Sequence, residues 1–310
     1  MITRPFRFAI QTGPFTQVDE LREFARKIEE LGYDELYSYD HIGLRGNTAC
    51  DPFIPLIVAA EATTRLRVGP LVLNNEFHQP GLLARTAISA DQMTAGRLVL
   101  GMGTGYAQEE HDAIGLELRP PGPRVTRFGE TLQVLRELWE HGSCEFVGEH
   151  HQVSIDDFGL KPVQPRLPLL IGGHGRRVVT LAGQHADIFQ FTGLTHASDG
   201  TPSGGGFPLD HIVERAAWLE TAAGERNDQI ERSSLVQVTA LGADAPTVDE
   251  LAARFKQPAE VAANTPFALV GSLEQVIDKI ERLREQLGIS HYVVRDPEGF
   301  APVVEALAGR

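Results

Sequence analysis

The chain has 310 residues, 42% of them hydrophobic, a formal net charge of −14 at pH 7 and two cysteines. The apolar fraction is ample for a sizeable core, and the acidic balance excludes a nucleic-acid partner, which needs a basic face, while leaving room for a small anionic ligand held by a local cluster of donors. No apolar run approaches the ~20 residues of a membrane helix, and the segment MITRPFRFAIQTG is too short in its apolar part for a secretory signal, so an intracellular, cytoplasmic protein is expected. Cys50 and Cys144 are too few for a disulfide framework and lack metal-type spacing.

In chain order, strand and helix patterns take turns. FRFAIQ (Phe6 to Gln11) predicts a strand, and VDELREFARKIEELG then places Leu21, Phe24, Ala25, Ile28 and Leu31 at helical spacing, with Gly32 as a stop. ELYSYD predicts a second strand and Pro52 to Thr63 a helix. Leu66 to Leu73 predicts a third strand, Pro80 to Met93 a helix, Arg97 to Gly103 a fourth strand, and Pro123 to His141 a longer helix. CEFVGEHHQVSIDDF interrupts the alternation as a hairpin turning near Gly148–Glu149. Pro168 to Gly173 resumes as a fifth strand, followed by a helix over Arg176 to His185 and a sixth strand over Asp187 to Phe191. A glycine- and serine-rich loop leads to a helix over Leu209 to Ala223, then a seventh strand over Ser233 to Leu241. Helical stretches near Val248–Phe255 and Leu273–Leu287 precede an eighth strand, Ser290 to Arg295, and a short closing helix from Pro302. Eight strands alternating with helices predict a single α/β domain over 1–310, a (β/α)8 TIM barrel with insertions, with a doubly wound sheet as the competing architecture.

On a barrel the working rim lies where strands end. Gln11, Asp40–His41, Asn74–Asn75, GTGY (Gly103 to Tyr106) and GGHGRR (Gly172 to Arg177) all sit just after predicted strands. A histidine there can shuttle a proton near neutral pH; alternatively Asp40 caps the next turn and His41 packs on a neighbouring loop. GGHGRR opens a helix after an apolar strand, so its glycines admit a ligand to the backbone, its free N–H groups attract an anion, and Arg176 and Arg177 can add charge. The plainer alternative is a tight turn with solvent-exposed arginines. GMGTG resembles a dinucleotide fingerprint only superficially, and His78, His150 and His151 have no partner at metal-binding spacing.

Several stretches together resemble one family. YDHIG, GPLVLNNEFHQPGLLARTAISADQMTAGRLVLGMGTGY, PLLIGGHG and FALVGSLEQVIDKIERLREQLGISHYVVR are similar to the bacterial luciferase-like superfamily, and within it to the oxidoreductases that use the deazaflavin coenzyme F420. The resemblance runs over nearly the whole chain, with DQMTAGRLVLGMGTG its most specific signature. It implies a TIM barrel with insertion segments, and a hydride transferred between C5 of F420 and a small organic substrate. It also implies that Asp40 lies beside the cofactor ring and that His41 gives or takes the proton. Leu71–Val72 falls where the family has a bulge with a non-proline cis peptide backing the ring, and Asn74 where polar groups meet the pyrimidine edge. Gly103, Thr104, Gly105 and Tyr106 would border the ring and tail, and Gly172, Gly173, His174, Gly175 and Arg176 the phosphate. The alternative within the superfamily is a monooxygenase that takes reduced FMN from a partner flavin reductase. A homodimer is expected from the resemblance, and the loop over Thr192 to Gly206 is either a substrate-choosing lid or a surface loop without consequence. Two departures stand out: Tyr106 occupies the position where the sugar-phosphate dehydrogenase branch has a glutamate, and Pro70 precedes the expected bulge.

Overall fold

The computed structural model describes residues 3–13, 15–44, 48–196 and 201–310. Its main sheet is entirely parallel and follows chain order. Strand β1 (Arg7–Thr12) pairs with β2 (Glu35–Ser38), and β2 with β3 (Arg67–Pro70). A short β4 (Leu73–Asn74) pairs with β5 (Leu100–Gly103). Between β3 and β4 lies the cis Leu71–Val72 peptide, so the predicted third strand is present as two segments flanking the expected bulge. Helices α1 (Val18–Glu30), α2 (Phe53–Glu61) and α3 (Pro80–Met93) return the chain between these strands. The helix α1 forms because Leu21, Ala25 and Ile28 make one buried stripe, and α3 starts on a proline whose missing N–H costs nothing at a helix N-terminus.

Beyond β5, a short helix α4 (Gln108–Ile114) precedes α5 (Pro121–His141). The hairpin β6 (Cys144–Val147) and β7 (Gln152–Ile155) turns where the sequence predicts. Its tip is pinned by Glu130 on α5, whose carboxylate accepts from the backbone N–H of Glu149, His150 and His151 at 2.7–2.9 Å. The ring then continues through β8 (Leu169–Gly172), α6 (Arg176–His185) and β9 (Ile188–Phe191). A two-residue ribbon follows, β10 (Thr195–His196) against β11 (Pro202–Ser203); residues 197–200 of the expected lid lie outside the described residues. After α7 (Leu209–Ala223) comes β12 (Glu231–Leu235), and much later β15 (Ile289–Val294), which pairs with both β12 and β1. With Val68 bridging Leu98 on the other side, the ring of eight is closed, which rules out the doubly wound alternative.

The predicted seventh strand, Ser233 to Leu241, divides. β12 stays in the barrel, whereas β13 (Val238–Leu241) leaves it to pair with β14 (Ala268–Gly271). The exit is fixed by hydrogen bonds: Val236 N donates to Val293 O, while Gln237 N and Val238 N both donate to Phe267 O. Between β13 and β14 run α8 (Val248–Phe255) and an unpredicted α9 (Ala259–Asn264); α10 (Leu273–Leu287) and α11 (Pro297–Leu307) flank β15. Both α8 and α10 begin with a reciprocal capping box, Thr247 with Glu250 and Ser272 with Gln275.

The barrel interior has two levels. Ala9, Tyr37, Val99, Leu170, Ile188 and Val293 form an apolar plug. Below it, at the strand beginnings, the buried Glu35 carboxylate is held by Arg7 and by His291 Nε2 at 3.0 Å, with Arg67 3.6 Å away and Glu231 3.3 Å from Arg7. Burial and the nearby arginines push the His291 pKa down to about 4, so its imidazole is neutral. The bottom is therefore charge-paired, and within the barrel the cavity for a ligand lies above the plug. Among the described residues no helix is long and apolar enough to cross a membrane.

Candidate active site

A cavity of about 520 Å³ opens at the carboxyl ends of the strands. Thirteen of the fourteen residues expected there line it: Asp40, His41, Leu71, Val72, Asn74, Gly103, Thr104, Gly105, Tyr106, Gly172, Gly173, His174 and Gly175. Arg176 is the exception. Its guanidinium turns outward to lie 5.9 Å from the centre of the Trp218 ring, along the groove between α5 and α6, because the first residue of α6 points away from the rim. Arg177 likewise faces that groove and bonds Gly122 O and Thr126 Oγ1.

The cavity floor is a fixed hydrogen-bond chain. Arg295 donates from Nε to Gln11 Oε1 (3.0 Å) and from Nη1 to Val236 O (3.1 Å), and Gln11 Nε2 donates to Leu71 O (2.9 Å). The carbonyl of the cis peptide is thus clamped from inside the barrel. Asp40 Oδ2 accepts from Asn74 N at 3.0 Å, with His78 Nε2 3.6 Å away. Asn74 Oδ1 accepts from Glu76 N, which leaves Asn74 Nδ2 buried beneath Gly105 with no partner among the described residues. Gly105 covers that amide with φ +72°, and a Cβ there would lie 2.0 Å from Asn74 Oδ1; a Cβ on Gly103 would meet Val72 Cγ2 at 2.9 Å. The GTG loop therefore lies so close against β4 that side chains are excluded, and backbone itself forms the surface a flat ligand would touch.

At one end stands His41. Its Nδ1 is 2.9 Å from Glu110 Oε1, the same oxygen that accepts from Ile42 N at 2.9 Å, and the Glu110 side chain is only 2% exposed. A carboxylate only accepts, so Nδ1 carries the hydrogen and Nε2 is left as the exchangeable position. Aromatic rings enclose this end: Tyr39 at 5.4 Å from the His41 ring, Tyr106 edge-on at 6.4 Å, and His196 from the β10–β11 ribbon stacked on Tyr106 at 3.7 Å.

At the other end Gly172–Gly175 leads into α6, whose N-terminus has no side-chain cap. Burial and the Arg215 guanidinium push the His174 pKa down, so the loop presents a neutral imidazole. The cation there is Arg124, in the first turn of α5. It is buried, it lines the cavity, and its Nε and Nη1 have no partner among the described residues. Uncapped helix N–H groups and a guanidinium lining the same cavity make an anion corner.

Glu110, Arg124, Arg295 and Gln237 were not singled out in the sequence. Glu110 reads as half of a solvated Glu–Glu pair, and Arg124 as one of many arginines on a long helix; only the docking of α4 and α5 on the rim shows them to be buried. Among the described residues no cluster of His, Cys, Asp and Glu could hold a metal ion.

The profile of the luciferase-like monooxygenases matches residues 2–202. The chain belongs to that family. F420-dependent glucose-6-phosphate dehydrogenases of Amycolatopsis mediterranei and Microbacterium testaceum are 30% and 31% identical over 185 and 195 residues, 58% and 60% of this chain and 54% and 56% of theirs. The chain thus spans about half the length of the curated relatives it matches. The fold is that of the F420-dependent tetrahydromethanopterin reductase of Methanopyrus kandleri (TM-score 0.72, 18% identity, 97% of both chains). It is shared by an F420-dependent secondary alcohol dehydrogenase solved with an F420–acetone adduct (TM-score 0.72, 19% identity, 97% of both chains) and by the monooxygenase RslO1 of Streptomyces bottropensis (TM-score 0.72, 18% identity, 96% of both chains).

Proposed function

We propose that this protein is an F420-dependent oxidoreductase that exchanges a hydride with a small organic substrate. The observation that carries the reading is the juxtaposition of a carboxylate-anchored imidazole, His41–Glu110, with a ligand cradle that ends in an anion corner. The residues fit the cofactor: side-chain-free backbone at Gly103 and Gly105 admits a flat ring, and Arg124 with the α6 N-terminus suits its phosphate. When bound, F420 supplies two-electron hydride chemistry that hardly involves oxygen. The chain's own part is positioning and proton handling. Asp40 and the Gln11-clamped Leu71 carbonyl fix the wall against which the ring would rest. Glu110 holds the His41 tautomer so that Nε2 takes the proton of a substrate hydroxyl during oxidation and returns it to a carbonyl oxygen during reduction. The relatives' F420 dependence supports this cofactor over FMN, which would use the same corner.

Titrating the purified protein with F420 and with FMN, oxidised and reduced, while following intrinsic fluorescence tests the reading. Tight F420 binding with weak FMN binding is expected. The reverse preference would make the protein a flavin monooxygenase served by a reductase.

A further inference from the structure

Sheet order divides the rim of the barrel into two halves. The strands β4, β5 and β8 carry the cis peptide and the GTG and GGHG loops, the cradle assigned above to the cofactor. Across the ring, β1, β15 and β12 follow one another as hydrogen-bonded neighbours, and β2, which leads to His41, pairs with β1. This second half ends in Gln11, Arg295 and Gln237, and all three line the cavity.

Arg295 stands one residue past β15, at the carboxyl end where a barrel places its binding groups. It is exposed, and its guanidinium is held in a fixed orientation by two neutral acceptors, Gln11 Oε1 and Val236 O. Those bonds use two of its five N–H donors and none of its charge. The two carboxylates that line the cavity are engaged elsewhere: Asp40 accepts from Asn74 N, and Glu110 from Ile42 N and His41. A guanidinium positioned in advance and still cationic matches the oxygens of a carboxylate or phosphate, and it has little side-chain freedom left to lose on binding. Only β1 separates β15 from β2, roughly 10 Å between strand axes, so one small molecule can reach both Arg295 and His41.

We infer that the substrate carries an oxyanion, a carboxylate or a phosphate, which Arg295 receives while the substrate's hydroxyl or carbonyl group faces His41. The inference rests on the proposed F420 site and deepens it. It gives the two arginines of the cavity separate tasks, Arg124 holding the cofactor's phosphate and Arg295 the substrate's anion.

Calorimetric titration of the F420-loaded protein with benzoate, phenyl phosphate and benzamide is the test; benzamide keeps the shape of benzoate without its charge. At least one anion is expected to bind about tenfold more tightly than benzamide, or better, and the tighter of the two tells a carboxylate substrate from a phosphate one. Arg295→Gln should abolish that preference. Benzamide binding as tightly as both anions, no saturable binding of either anion, or a preference that survives Arg295→Gln overturns the inference; a cofactor group seated on Arg295 would give the first of these results. Should the variant not fold, phenylglyoxal labelling of the loaded parent with peptide mass mapping takes its place. The tighter anion must then shield Arg295 from modification, and equal labelling with and without it overturns the inference. Failure to load F420 is a separate result that sinks the functional reading; the same titrations on the FMN-loaded or unloaded protein must then still show the Arg295-dependent preference.

Discussion

At the residue scale the site depends on groups whose importance lies in what they touch. His41→Ala should leave F420 affinity within a few-fold of the parent while lowering kcat by about 10²-fold or more, the usual contribution of a positioned acid–base group. Glu110→Gln replaces an acceptor that also receives the Ile42 N–H. The amide can accept only through its oxygen and can turn its NH₂ toward the imidazole, so the tautomer is no longer fixed; kcat should fall at least tenfold with the substrate KM little changed. Steady-state kinetics at saturating F420 checks both, and a Glu110→Gln enzyme with full kcat would show that the pair is only structural. Arg124→Gln removes the guanidinium assigned to the anion corner; a charge-assisted bond contributes about 1.5–3 kcal/mol, so F420 affinity should weaken roughly 10- to 100-fold in the same fluorescence titration. Arg176→Gln, acting on the outer groove, should change it little. The contrast between these two arginines shows what sequence can and cannot carry. The glycines of GGHG announce a close backbone approach wherever they occur, whereas which nearby arginine faces the ligand depends on the phase of a helix at its first turn. Asp40 and His41 were legible because a strand end on a barrel is a functional position by construction. Glu110 was not, because nothing in QEEHDAI distinguishes a buried glutamate from a solvated one.

At the element scale, periodicity located α3, α6, α7 and α10 with their ends, since a buried stripe at 3.6 spacing and a terminal proline, glycine or capping box are local signals. It joined β12 to β13 because SSLVQVTAL is evenly apolar; the break is imposed from outside by Phe267 O, far along the chain, and it is the break that puts Gln237 on the cavity wall. The short α4 and α9 escaped because one or two turns carry too little pattern to register. The hairpin β6–β7 offers an element-scale test. Three backbone donors of its tip converge on one carboxylate, and although burial raises the Glu130 pKa, those N–H groups outweigh it and hold the carboxyl below its usual range. Glu130→Ala would leave the three donors without that acceptor, at a cost of about 2 kcal/mol. Urea unfolding should show a lowered midpoint with F420 binding nearly unchanged, since Glu130 does not line the cavity. An unaltered midpoint would mean that water replaces the carboxylate at no cost.

At the scale of the whole molecule, the closed barrel sets its own pH limit. Burial and neighbouring arginines push His151, His185 and His291 down to about 4, from an ordinary value of 6.5. A group whose pKa is lower in the folded state binds its proton first in the unfolded chain. The stability these three groups contribute is therefore full above about pH 6.5 and is lost as pH falls from there toward 4. One pKa unit corresponds to about 1.4 kcal/mol, so the three groups together can remove several kcal/mol across that window, a large part of a typical domain's net stability. Glu29, Glu130 and Asp187, whose pKa values are also held low in the fold, extend the loss below pH 4.5. The sign is the same at the bottom of the barrel, on α6, at the hairpin and, in the cavity, at His174, so the decline belongs to the molecule as a whole. Urea midpoints at pH 7, 6 and 5 with a constant m-value should fall steadily. His291→Gln, which keeps a donor toward Glu35 but cannot take a proton, should flatten that slope even if it lowers the midpoint at pH 7. A midpoint independent of pH between 7 and 5 would show that these imidazoles are solvated in the folded protein, and a His291→Gln slope equal to the parent's would place the titration elsewhere.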